Sequence, residues 1–137
     1  MVATNQSRLA LVFLIVASSR LALAADAKGW YDPCCDLTTF HLIAVPGQPP
    51  NREFILRIAT GMLHFNDYLA GPDWWTATGQ NCSKAGDCAE VTKARLQFQE
   101  MGKKRVSGRY EIDFEGHHFE GEYKVKYRHK GKPCICE

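Results

Sequence analysis

Six cysteines are the most chemically legible residues of the 137-residue chain: Cys34, Cys35, Cys82, Cys88, Cys134 and Cys136. An even count in a small exported domain points to disulfides. Cys82 and Cys88 enclose a short loop, Ser83-Lys84-Ala85-Gly86-Asp87, which can close locally. Cys34-Cys35 lies near the start of the domain and Cys134-Ile135-Cys136 near its end, so bridges between those pairs would tie the termini together. A link closing a loop of ~100 residues stabilises by about 4–5 kcal/mol in the chain-entropy model. The same four terminal cysteines could instead gather thiolates for Zn or Cu(I). Their spacing does not match the usual C-x₂-C knuckle, and an oxidising compartment favours bridges, so no metal site is assigned.

Cations form the next pattern. Lys124, Lys126 and Arg128 alternate on one strand face, with Lys103-Lys104-Arg105 in an earlier turn. Such a stripe suits phosphate, an acidic polysaccharide or an anionic membrane surface. Glu120 and Glu122 share the face and dilute its field. The adjacent pair Trp74-Trp75 is a further candidate contact surface, since tryptophan is favoured in hot spots and stacks on sugar rings or partners. The competing role for these rings is to plug the end of a small core.

Catalytic patterns are sparse. Glu111, Asp113 and Glu115 share a strand face at steps of roughly 6.8 Å, a spacing compatible with paired carboxylates but common to any strand with alternating acids. His41, His64, His117, His118 and His129 form no recognised ligand spacing. Neither a G-x-S-x-G elbow, a P-loop nor a G-x-G-x-x-G motif is present, and no cofactor is implied. Asn81-Cys82-Ser83 matches the glycosylation acceptor pattern, with a cysteine in the middle that a disulfide would encumber.

The elements that must position these residues begin after a leader. Arg8 precedes an apolar run at residues 9–17, and Ala22-Leu23-Ala24 forms an A-x-A exit, the layout of a secretory signal peptide over residues 1–24. The run is too short to span a bilayer, which needs roughly 20 apolar residues. The expected product is a secreted or periplasmic domain over residues 25–137 with no transmembrane span. Without Arg8 and Arg20, Lys+Arg falls from 17 to 15 and equals Asp+Glu at 15, so the formal charge of +2 belongs to the leader. Net charge then gives no reason to expect nucleic-acid binding.

Residues 30–36 read as an irregular lead-in, 38–45 and 53–60 as strands, 62–69 as strand or short helix, and 71–89 as a long connection stapled by its cysteines. The last third is clearest. Residues 91–99, 106–115 and 119–128 alternate apolar and polar side chains, the signature of antiparallel strands with one wet face. For the final hairpin, a Gly116-His117 loop sets Glu111 opposite Glu122, and a His117-His118 loop sets Glu111 opposite Lys124; charge leaves the register open. The expected fold is mostly β: a small antiparallel sandwich, meander or partly closed barrel with disulfides. The expected function is an exported binding or structural module for an extracellular or periplasmic partner or glycan. Two other readings compete with it: a small hydrolase-like enzyme using His64 or Glu111, and a metal-handling protein using the terminal cysteines.

Overall fold

The structure, a computed structural model, describes residues 26–59, 70–129 and 134–135. The expected leader (residues 1–24), the ambiguous stretch 62–69 with His64, and Cys136 lie outside the described residues. Eight strands follow in order: β1 (Ala27–Cys34), β2 (Leu37–Ile43), β3 (Arg52–Ala59), β4 (Trp74–Ser83), β5 (Cys88–Glu90), β6 (Lys93–Met101), β7 (Arg105–Phe114) and β8 (His117–Tyr127). Their lateral order is β3-β2-β1-β8-β7-β6-β4-β5, and β3 also pairs with β4. Seven strands therefore close into a barrel, which removes open sheet edges. The short β5 extends the ladder along β4 beyond the end of β6.

Every neighbouring pair is antiparallel except β1 and β8, which run parallel from Ala27 beside Tyr123 to Tyr31 beside Tyr127. That parallel seam joins the first strand to the last. Two-residue alternation builds the interior. Val106, Tyr110, Ile112 and Phe114 of β7 are buried, as are Tyr123 and Val125 of β8 and Ala94, Leu96 and Phe98 of β6. Phe40, Leu42, Phe54, Leu56, Ile58 and Tyr31 complete the layer from the other side. The interior is packed with rings: Phe40 lies 5.9 Å from Phe98 and 6.2 Å from Tyr123, centroid to centroid.

Three local expectations are corrected. Residues 30–36 are not an irregular lead-in, because all but the last two belong to β1. The supposed long connection contains the ten-residue β4 and the three-residue β5. Gly79, within that stretch, lies with its backbone flush against β3; a Cβ there would stand 2.1 Å from the Ile55 carbonyl oxygen. Here glycine marks close approach rather than a turn.

The third correction concerns the final hairpin, which uses neither expected loop. Phe114 pairs with His117, leaving Glu115-Gly116 as the two-residue turn. Both turn residues have positive φ, 49° and 75°. That is the backbone a primed hairpin turn demands, and it matches the strands' twist. Turn geometry outweighs the cost of placing Glu111 opposite Glu120. Glu111 instead turns its carboxylate to Arg95 on β6, 2.6 Å away.

Two bridges staple the described residues: Cys82–Cys88, and Cys34–Cys134 with a sequence separation of 100. The local loop closes, and the ends are tied, as the spacing implied. Cys35 is disulfide-bonded as well.

Candidate anion-binding groove

The parallel seam assembles a surface that no single strand contains. On the barrel's outer face, Lys28 of β1 stands beside Lys124 of β8, which faces Ser107 of β7. One step along, Trp30 stands beside Lys126, which faces Arg105. Neighbouring strands lie ~4.8 Å apart and alternate residues along a strand ~6.8 Å apart, so these rows form a compact grid of cations. The grid lines a cleft of about 990 Å³. Its walls carry five cations, Lys28, Arg105, Lys124, Lys126 and Arg128, against two carboxylates, Asp26 and Glu100.

Little inside the cleft neutralises that charge. Lys124 Nζ lies 3.5 Å from an Asp26 carboxylate oxygen, and no ion pair among the described residues involves Lys28, Arg105, Lys126 or Arg128. Like charges sit directly opposite one another at Lys28–Lys124 and at Lys126–Arg105, an arrangement that is unfavourable in isolation. A bound anion would relieve it.

Aromatic rings frame the same cleft. Trp30 stacks on His41, with centroids 3.5 Å apart and planes inclined by 9°. The Arg128 guanidinium lies over Trp30 at 5.6 Å from its centroid, within cation–π range. His41 Nδ1 is in turn 3.3 Å from a Glu53 carboxylate oxygen. Burial nonetheless holds the His41 imidazole below its ordinary pKa, outweighing Glu53, and Arg57 pushes the same way. Tyr127, nearly half exposed, projects from the barrel's end, its ring edge-on to Tyr31.

The structure thus unites Lys124, Lys126 and Arg128, brings Arg105 of the expected basic turn beside them as the first residue of β7, and adds Lys28 and Trp30. Sequence reasoning could not reach Lys28, which lies 96 positions before Lys124 and becomes its neighbour only through the parallel seam. Glu120 and Glu122, expected to dilute the stripe, lie outside the cleft's lining.

Trp74 and Trp75 sit elsewhere, on β4, and do not line the groove. Adjacent strand residues point to opposite faces. Trp75 packs against the core with its indole N–H buried and without a partner among the described residues. Trp74 faces outward beneath the Arg95 guanidinium, 4.4 Å from its ring centroid.

The remaining candidates fall into local pairings. Glu111 is held by Arg95, whose hydrogen bond keeps its carboxyl below the usual carboxylate range. Asp113 and Glu120 both contact His118, and those hydrogen bonds raise the imidazole above its ordinary value. Asn81, the potential glycosylation acceptor, is 1% exposed, and its side chain is occupied by Arg52 and Gln48. Among the described residues, no helix is long and apolar enough to cross a membrane. Cys34, Cys35 and Cys134 bring their sulfurs within 4.8 Å of one another, but the Cys34–Cys134 bridge consumes two of them. No known protein family, curated protein or solved structure matches this chain.

Proposed function

We propose that this protein is an exported binding module whose outer groove takes a polyanionic ligand of the acidic-polysaccharide class. One observation carries the reading: two like-charged pairs, Lys28–Lys124 and Lys126–Arg105, stand side by side across three strands and line one cleft. A ligand carrying several anionic groups can satisfy such a grid at once, whereas a single small anion meets only part of it. Tyr127, which also lines the cleft and is nearly half exposed, adds aromatic surface for a sugar ring. Disulfides suit an oxidising compartment, where such polymers are met.

Calorimetric titration with a carboxylated or sulfated polysaccharide tests this reading, with a neutral polysaccharide of similar length as control. Binding should weaken as salt rises, because the screening length contracts from ~10 Å at 0.1 M to ~3 Å at 1 M. Replacing Lys28 or Lys126 singly with Ala should weaken binding about fivefold, or about 1 kcal/mol, and the Lys28→Glu/Lys126→Glu double variant should abolish it. Equal binding by the double variant, or equal binding of the neutral polymer, would remove the groove from consideration.

A further inference from the structure

We infer that the clasp tying the chain ends together exchanges disulfide partners, with Cys35 as the internal nucleophile and Cys34 as the thiol it releases. The inference is independent of the groove. It begins with the β1–β2 hairpin. Cys34 pairs with Leu37, so Cys35-Asp36 forms a two-residue turn. In an extended strand, adjacent side chains would diverge to opposite faces. Cys35 instead adopts φ 58°, in the left-handed region, where the backbone reverses. Both sulfurs of the vicinal pair are thereby brought to the same partner: Cys34 is bonded to Cys134, and Cys35 Sγ lies 3.4 Å from Cys134 Sγ. All three cysteines are partly exposed, so small thiols can reach them.

Exchange requires a thiolate to attack one sulfur of a disulfide, and access decides which sulfur is attacked. An external dithiol first reduces the Cys35 bridge, giving up two electrons and two protons as it becomes a disulfide itself, and leaves two thiols, that of Cys35 and that of its former partner. The Cys35 thiolate then attacks Cys134 Sγ. A Cys35–Cys134 bond forms, the Cys34–Cys134 bond breaks, and the electron pair leaves on Cys34 Sγ, which takes up a proton from solvent. This second step is redox-neutral. It keeps the C-terminal segment attached to the same hairpin while moving the free thiol from position 35 to position 34. The 3.4 Å approach of Cys35 Sγ makes Cys134 the sulfur under attack in this relay, so Cys134 stays bridged throughout.

Treatment of the full oxidised chain with one equivalent of dithiothreitol tests the relay. The reaction is quenched with an alkylating agent after increasing delays, and labels and bridges are mapped by mass spectrometry. Molecules should appear in which Cys34 is alkylated while Cys134 is still bridged, now to Cys35, and their share should grow with delay. Below the thiol pKa the rate should rise about tenfold per pH unit, following the thiolate fraction. In the Cys35→Ser variant, molecules with Cys34 alkylated and Cys134 still bridged should be missing, and any labelled Cys34 should be labelled together with Cys134, by direct reduction. In the wild-type chain, labelling of Cys34 and Cys134 together would indicate direct reduction and overturn the relay, as would Cys34 remaining unlabelled at every delay. Equal shares of molecules with Cys34 alkylated and Cys134 still bridged in wild type and Cys35→Ser would overturn it too.

Discussion

Two adjacent tryptophans show how a single step along a strand separates a structural residue from a surface one. Trp75 fills part of the interior beside Leu96, so Trp75→Ala should cost about 3 kcal/mol, measured as a shift in the urea midpoint. Trp74 contributes mainly its stacking under Arg95, and Trp74→Ala should cost about 1 kcal/mol or less. Two histidines give a similar contrast in titration. The His118 imidazole is raised above 6.5 by Asp113 and Glu120, so its contribution to stability is complete below pH ~6.5 and is lost as pH rises through its elevated folded value. His41 is lowered from 6.5 by burial, so its contribution is complete above pH ~6.5 and falls away as pH drops from there toward its depressed folded value. NMR titration of the ring protons should therefore place the His118 midpoint above 6.5 and the His41 midpoint below it. Asp113→Asn should draw the His118 midpoint downward and leave that of His41 unchanged.

At the scale of the strand, the final hairpin is built on reciprocal pairs. Gly108 faces Tyr123, and Tyr110 faces Gly121, so each ring lies across its partner's glycine. Tyr123 donates its hydroxyl to the Gln97 carbonyl, 3.1 Å away. The Tyr110 hydroxyl is buried without a partner among the described residues, and desolvation pushes its pKa up to about 12. A Cβ at Gly108 would stand 1.8 Å from the Gln97 carbonyl oxygen, so Gly108→Ala should cost about 3 kcal/mol or more in equilibrium unfolding, even though alanine is the better strand former. The inward face to which Gly108, Tyr110, Gly121 and Tyr123 belong was plain in the sequence, because period-two alternation is a local property. Register was not, since charge pairing left loops at Gly116-His117 and His117-His118 both open, while the positive-φ turn at Glu115-Gly116 decided the outcome. β4 was missed for a related reason. Gly71, Gly79 and the small loop of residues 83–87 resemble punctuation until the neighbouring strand that needs Gly79 is in view.

For the molecule as a whole, closure is what creates the groove. Lys124, Lys126 and Arg128 were legible from one strand's alternation, but Lys28, Trp30 and Arg105 join them only because β1 runs parallel to β8 and β7 flanks it. That pairing is non-local, and no periodicity within a segment encodes it. The Cys34–Cys134 bridge reinforces the same union of first strand and C-terminus. Removal of the whole clasp by Cys34→Ser/Cys35→Ser/Cys134→Ser should lower stability by about 4–5 kcal/mol, about twice the loss from Cys82→Ser/Cys88→Ser, whose loop is far shorter, whereas Cys34→Ser/Cys134→Ser alone, which leaves the Cys35 bridge, should cost much less. The groove itself is tested most directly by following backbone amide shifts while an acidic polysaccharide is titrated into the isotopically labelled protein. Shifts concentrated at Lys28, Trp30, Arg105, Lys124 and Lys126, with Trp74 and Arg95 unmoved, are the predicted result. Shifts centred on Trp74 and Arg95, or scattered evenly over the barrel, would contradict it.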